Sequence, residues 1–281
     1  MTDRPTHLLP RADDSHGKES RGSVLVVGGS AEIPGAVLLA GTAALRVGAG
    51  KLQLASVVSI APWLALAMPE ARVLPLPEAP EGEIAQLSPG LLQAAREADA
   101  MVIGPGSEAT SQWWEDVRLL TNAARGTVVL DAGALGALAG NQEATRRCVL
   151  TPHAGEMASL TGLSLDEVER SPEQVACRYS QKVECIVVLK GAITYISAPD
   201  GEVWRHGGGS VALGTSGSGD VLSGLIGGLA ARGASPMAAA QWGVYLHGMA
   251  GSRFEESVGE VGLLARELPA MIPSLLRELS A

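Results

Sequence analysis

The sequence predicts a three-layer α/β/α sandwich built on a mostly parallel sheet, and three observations carry that expectation. Short β-branched apolar runs alternate with longer segments of helical spacing. The runs end on Gly, Asp or Pro and lack polar alternation, as strands covered on both faces do. Seven of them precede a Pro-Asp-Gly hairpin signal, after which the later chain reads as helix.

In chain order, strands are expected at "SVLVVGG" (23–29), "KLQLAS" (51–56), "RVLPL" (72–76), "MVIGPG" (101–106), "TVVLDAG" (127–133), "CVLTP" (148–152) and "CIVVLKG" (185–191). The segment from Gly35 to Gly48 is rich in small residues and has Leu38, Leu39, Thr42, Leu45 and Arg46 at helical spacing. It is expected to be a helix lying close on the sheet. Pro62 interrupts the apolar stretch from Leu54 to Met68, which is also shorter than a membrane span, so it reads as a buried strand and helix. "ITYISAPDGEVWRH" (193–206) reads as two short strands around Pro199-Asp200-Gly201, an antiparallel addition after the seventh strand. Helix is expected from Asp220 onward, punctuated by Pro236, Pro269 and Pro273. Residues 1–21 mix both charge signs and are expected to be a flexible lead-in to a single domain over 22–281.

The formal charge of −9 and a pI near 5.1 argue against nucleic acid as a partner. An acidic chain that binds phosphates must concentrate positive potential locally, which draws attention to any Lys beside a glycine loop. Cys148, Cys177 and Cys185 are odd in number and lack CxxC spacing, so neither a disulfide framework nor a zinc site is expected. A reducing cytoplasm is the plain inference. The first twenty residues contain no apolar core of signal-peptide length, and no membrane association is expected.

In open α/β sheets ligands lie outside the carboxyl ends of the strands. Gly28-Gly29-Ser30, Gly104-Pro105-Gly106, Asp131, His153, Lys190-Gly191 and the loop "GTSGSGDVLSG" (214–224) are all placed there by the predicted elements. That loop opens a helix with unpaired backbone N–H groups, a setting that favours anions. Asp220 is itself an anion, so it is either the helix cap or a base beside a bound phosphate. Gly224, Gly227 and Gly228 each cost the helix about 1 kcal/mol relative to Ala and imply close approach to something.

A strand-terminal Lys usually points at water. Lys190 in "VVLKGAIT" shares its sheet end with the glycine loop, which favours a nucleotide contact, with Gly191 admitting the backbone and Thr194 adding a hydroxyl. In "LTPHAGEMASLTG" (150–162), helix start and stop signals explain most residues and leave His153 and Glu156 on one face. A carboxylate there can hold the water shell of Mg²⁺, and an imidazole can donate to a substrate oxygen. Neither GxGxxG nor GxxxxGK[ST] is present, and the loops at 28–36 and 104–106 read as walls for a flat or bulky ligand.

Taken in this order, "VVGGS…PGA", "ALRVGAG", "VIGPG", "VLDAGAL", "LTPHAGE", "VVLKGAIT" and "GTSGSGDVLSG" closely resemble the NAD(P)H-hydrate dehydratases of the ribokinase-like superfamily, over about residues 22 to 270. The GxGD loop is shared with many small-molecule kinases; the TPHxGE and KG-x-x-T segments point to the dehydratase. The resemblance implies repair of NADH or NADPH hydrated on the nicotinamide ring (NADHX and NADPHX), using ADP or ATP with Mg²⁺. The ring hydroxyl takes the terminal phosphoryl group, and loss of phosphate restores the double bond.

Carried over by position, Asp220 is the base, while Lys190, Gly191, Ala192, Ile193, Thr194, Gly217, Ser218 and Gly219 contact the adenine nucleotide. Ala36, Gly106, His153 and Asp220 line the hydrated dinucleotide, Glu156 serves Mg²⁺ through water, and family analogy implies a homotetramer. No fused epimerase domain is expected ahead of the unit. One departure stands out: the family commonly reads DADAL followed by Asn, where this chain has Gly133 and Gly136, so a carboxylate and an amide are expected to be missing near the mouth. Two other readings use the same residues. One is a kinase of this fold that keeps its phosphorylated vitamin precursor or sugar, and the other is a non-catalytic nucleotide-binding homologue.

Overall fold

The computed structural model describes residues 4–9, 17–138 and 147–280. Among the described residues nine strands form one sheet: β1 (Ser23–Val27), β2 (Lys51–Val57), β3 (Ala71–Leu76), β4 (Ala100–Ile103), β5 (Thr127–Leu130), β6 (Cys148–Leu150), β7 (Ile186–Leu189), β8 (Thr194–Ser197) and β9 (Val203–His206). Their order is β3-β2-β1-β4-β5-β6-β7-β8-β9, with β1 to β7 parallel and β8 and β9 antiparallel, as the hairpin signal predicted. Pro75 sits in β3, an edge strand of this sheet, where a missing donor is tolerated.

Among the described residues ten α-helices surround the sheet: α1 (Gly35–Arg46), α2 (Ala61–Ala67), α3 (Pro89–Glu97), α4 (Ser111–Ala123), α5 (Ala154–Thr161), α6 (Leu165–Arg170), α7 (Pro172–Val183), α8 (Ser218–Ala231), α9 (Pro236–Ser257) and α10 (Leu268–Ser280). Val24, Val26, Val102, Val129, Val149 and Val188 point into one core with α1, α2, α8, α9 and α10. Leu25, Val27, Met101, Ile103, Leu130 and Leu150 point into the other, with α3 to α7. Alternate residues thus face opposite cores, which is why the strands carry no polar face.

Predicted strand starts agree with the observed ones to within a residue, but most of the predicted strands run past the true ends into their loops. Gly104, Gly106 and Ala132 take positive φ (112°, 68° and 45°), which a ladder residue does not adopt. Pro273 is a second difference. It lies inside α10, where punctuation was expected. The neighbouring Ile272 and Leu275 are wholly buried, and their burial offsets the hydrogen bond that the proline removes.

The sheet topology places the site. From β3 the chain crosses to β4, on the other side of β1, so the loops after β1 and β4 diverge from adjacent strands at a topological switch point. The glycines of α8 explain how that helix covers the crossing. A Cβ at Gly224 would lie 2.1 Å from the Ala40 carbonyl oxygen of α1, and one at Gly227 would lie 2.4 Å from Val102 Cγ2 of β4. The close approach implied by the sequence is therefore to α1 and the sheet.

Part of the stretch read as a lead-in is packed down. His7 Nδ1 lies 3.0 Å from Gln241 Oε1, and Trp242 Nε1 donates to the His7 carbonyl at 2.9 Å.

Candidate active site

The site is built at the N-terminus of α8. Gly217 precedes the helix at φ 87°, and a Cβ there would also meet Leu39 Cδ1 at 2.5 Å, so the position takes glycine on two counts. No side chain caps the helix, which settles one alternative for Asp220: it belongs to the first turn and is not the cap. The Ser218 N–H donates to the Thr215 carbonyl at 3.2 Å. His247 Nε2, from α9, lies 3.0 Å from both the Ser218 carbonyl and Oγ. The N–H groups of Gly219 and Asp220 find no acceptor among the described residues, as first-turn amides commonly do not.

Lys190 faces this turn. A Cβ at Gly219 would stand 3.2 Å from Lys190 Nζ. The lysine follows β7, and its N–H donates to the Pro152 carbonyl at 2.8 Å. Its side chain is 21 % exposed and its Nζ lies 3.2 Å from Asp131 Oδ1 and 3.9 Å from Glu156 Oε2. It does not point at water. Burial works against the lysine's charge, yet Asp131, Glu156 and Asp220 outweigh it and hold the ammonium above its ordinary range. For Asp220, burial first and the charge of Asp131 second push the carboxyl up to about 7, while Lys190 pulls the other way. The result is a carboxyl that changes charge near neutral pH, beside a cation that does not.

His153 is the N-cap of α5. Its Nδ1 accepts from the N–H groups of Gly155 and Glu156 at 3.0 and 3.2 Å, while Glu156 Oε2 accepts from the His153 N–H at 2.7 Å. This reciprocal cap fixes Glu156 beside Lys190. A backbone bridge between His153 and Lys190 ties both segments to one sheet end. Among the described residues no cluster of three or more His, Cys, Asp or Glu could cage a metal. Glu156 and Asp131 instead offer carboxylate oxygens of the sort that hold a hydrated Mg²⁺ brought in by phosphates.

A cavity of about 590 Å³ opens beside the cluster, lined by His153, Lys190, Gly191, Ala192, Thr194, Ser218 and Gly219 among the residues singled out from the sequence. Ile193 is half exposed, and it, Gly217 and Asp220 lie outside that lining. Ala36 and Gly106 come together on the α1 side: a Cβ at Gly106 would lie 2.8 Å from Ala36 Cβ and 2.7 Å from the Ile33 carbonyl oxygen. A larger cavity of about 740 Å³ is lined by Arg4, Arg21, Arg232 and Arg277. It belongs to the far ends of α1 and α8, at Val47–Gly48 and Arg232, roughly 20 Å from the first turn of a 14-residue helix.

The structure also accounts for the two glycines that depart from the family pattern. A Cβ at Gly133 would lie 2.3 Å from the Ser107 carbonyl oxygen, and one at Gly136 would lie 2.4 Å from the Trp114 indole. Trp114 Nε1 donates to the Gly133 carbonyl at 3.0 Å. Both positions are thus crowded in this chain, and Trp114 packs where a side chain at Gly136 would stand.

Sequence reasoning did not assign Asp131 a role, although its place at the end of β5 was a usable signal. It missed His206, Val211, Leu213, Val244, His247 and Gly248, which line the same cavity. His206 closes the hairpin, Val244, His247 and Gly248 lie on α9, and Val211 and Leu213 form a short turn that leads into the glycine loop, so only the tertiary fold brings the three groups together.

A ribokinase-type α/β/α enzyme is the class that this sheet, glycine-opened helix and half-buried acid define. Thermotoga maritima ribokinase shares the fold at a TM-score of 0.60 and 15 % identity, over 91 % of this chain and 99 % of that one. Residues 24–274 match the NAD(P)H-hydrate dehydratase family, and the chain belongs to that family. It is 50 % identical over 262 residues to the ADP-dependent (S)-NAD(P)H-hydrate dehydratase of Xanthomonas campestris pv. campestris, covering 93 % of this chain and 90 % of that one. The Bacillus subtilis ADP/ATP-dependent NAD(P)H-hydrate dehydratase, co-crystallised with ATP and Mg²⁺, superposes with a TM-score of 0.81 at 32 % identity, over 96 % of this chain and 94 % of that one. The chain spans about half the length of the bifunctional NAD(P)H-hydrate repair enzyme of Moorella thermoacetica, at 38 % identity.

Proposed function

We propose that this chain is a lyase of metabolite repair, dehydrating (S)-NADHX and (S)-NADPHX to NADH and NADPH at the expense of ADP or ATP. The single observation that carries the reading is the half-buried Asp220 carboxyl on the first turn of a glycine-opened helix beside Lys190, its pKa pushed up to about 7. Asp220 takes the proton of the ring hydroxyl as that oxygen bonds to the terminal phosphorus and the phosphoanhydride bond breaks, releasing AMP from ADP or ADP from ATP. The open N–H groups of Gly219 and Asp220, with Lys190, balance charge on the moving phosphoryl group, which is most of what phosphoryl transfer asks of a protein. Departure of phosphate from the ring carbon, with loss of a proton from the adjacent ring carbon, then regenerates the double bond. Lys190, Gly191, Ala192, Thr194, Ser218 and Gly219 hold the nucleotide in their common cavity, while Ala36, Gly106 and His153 border the dinucleotide. Mg²⁺ bound with the nucleotide supplies further charge neutralisation, with Glu156 and Asp131 as its carboxylates.

On the same reading the enzyme works in the cytoplasm as a homotetramer. Trp63 and Leu66, three residues apart on α2 and 70 % and 75 % exposed, are apolar groups of the kind self-association covers. Among the described residues no helix is long and apolar enough to cross a membrane. Native mass determination tests the assembly. The activity is tested by incubating the protein with hydrated NADPH, ADP and Mg²⁺ and following the return of the reduced nicotinamide's near-ultraviolet absorbance. No return, with ATP-dependent phosphorylation of a small alcohol instead, assigns the site to a kinase. Nucleotide binding with neither reaction assigns it to a non-catalytic protein.

A further inference from the structure

His206 is the last residue of β9 and pairs across the hairpin with Thr194, a residue of the nucleotide cavity. Its ring stacks on Trp204 (centroids 5.6 Å apart, planes at 7°) and meets Tyr245 edge-on at 5.5 Å. Gly248 of α9 makes room for it, since a Cβ there would lie 2.4 Å from His206 Nε2. The residue is 3 % exposed, and neither Nδ1 nor Nε2 has a hydrogen-bond partner among the described residues. Several buried side chains share that condition, but His206 is the one among them that lines this cavity. Buried polar atoms are normally hydrogen-bonded, and leaving two of them open works against folding. Burial also holds the imidazole's pKa below its ordinary value, so the ring is neutral and offers one donor and one acceptor.

The cavity has two chemically distinct kinds of wall. Lys190 and the first turn of α8 supply a cation and open amides, which suit phosphates. Val211, Leu213, Leu222 and Val244 supply apolar surface, with His206 as a neutral polar group, and this suits a base and its sugar. Building on the nucleotide site proposed above, we infer that His206 is a binding residue for the adenosine half of the nucleotide, hydrogen-bonding it through a ring nitrogen that lies buried without a partner in the wall of the cavity.

The test uses His206→Phe, which keeps a planar ring against Trp204 and Tyr245 but removes both nitrogens. Calorimetry with ADP and with inorganic pyrophosphate is expected to show ADP affinity weakened roughly 3- to 10-fold and pyrophosphate affinity unchanged. In turnover, KM for ADP rises by more than kcat falls. In wild-type protein labelled with ¹⁵N at the histidine rings, ADP is expected to shift a His206 nitrogen and pyrophosphate is not. Equal ADP affinity in the variant, or parallel loss of ADP and pyrophosphate binding, overturns the assignment. Should the variant fail to fold, unmoved His206 nitrogens at saturating ADP overturn it. A wild-type protein that binds no ADP at all overturns the underlying nucleotide site, a result distinct from any change confined to His206.

Discussion

Lys190 Nζ stands 3.2 Å from Asp131 Oδ1, joining the ends of β7 and β5, which are separated by β6. This pair sets the electrostatics around Asp220, because the two side chains act on its carboxyl with opposite sign.

The pH dependence follows directly. A general base must be ionised, so kcat/KM for the hydrated dinucleotide is expected to rise with pH through about 7. Lys190→Met removes the charge that lowers the Asp220 pKa and moves that limb to higher pH. Asp131→Asn removes a charge that raises it and moves the limb lower. A pH–rate profile of the three proteins checks both directions; shifts of the same sign would contradict the arrangement.

Asp220→Asn is expected to reduce turnover by ~10²–10⁴-fold while nucleotide binding persists in calorimetry. The same change carries a stability signature. The folded-state pKa lies above the ordinary 3.8, so the contribution of Asp220 to stability is complete below about pH 4 and is lost as pH rises through about 7. Asn has no such dependence. The melting temperature of the variant relative to wild type should therefore improve between pH 4 and pH 8. Flat behaviour across that range would mean that the carboxyl's pKa is not raised in the folded protein.

Gly224→Ala probes the contact that seats α8. Its added Cβ would lie 2.1 Å from the Ala40 carbonyl oxygen, a backbone atom that cannot swing aside. The helices α1 and α8 would have to separate, at a cost of about 1–3 kcal/mol. A melting temperature lowered by several degrees is expected, measured by calorimetry.

Removal of residues 1–9 separates stability from catalysis. The loss of the His7 contacts to Gln241 and Trp242, and of the Arg4 guanidinium 6.0 Å above the Trp242 ring, is expected to lower the melting temperature by a few degrees. These contacts lie by the far end of α8, so turnover at a temperature well below melting should be unchanged. Parallel loss of both would show that the segment serves the site.

The sheet was legible in the sequence because its strands are continuous apolar runs, and a parallel strand buried on both faces admits little else. The glycine loop, Lys190, His153 and Glu156 were legible because a backbone that must bend or bind beside a strand end leaves a local mark. Asp220 stood out as the one carboxylate in a loop nearly bare of side chains. The exact strand ends were less visible, since Gly104 and Ala132 look like strand residues until their φ angles are known.

From residue order alone came the layers, the hairpin, the cavity's polar motifs and the family resemblance, all of them products of local spacing. Folding in three dimensions decided what those motifs became: Asp220 a neutral-range acid, Lys190 a clamped cation, Gly224 a helix contact, and His206 and His247 parts of a site far from them in the chain. The physical reason is that desolvation and charge coupling depend on distances between side chains, and those distances are fixed only when α8, α9 and the strand ends pack together.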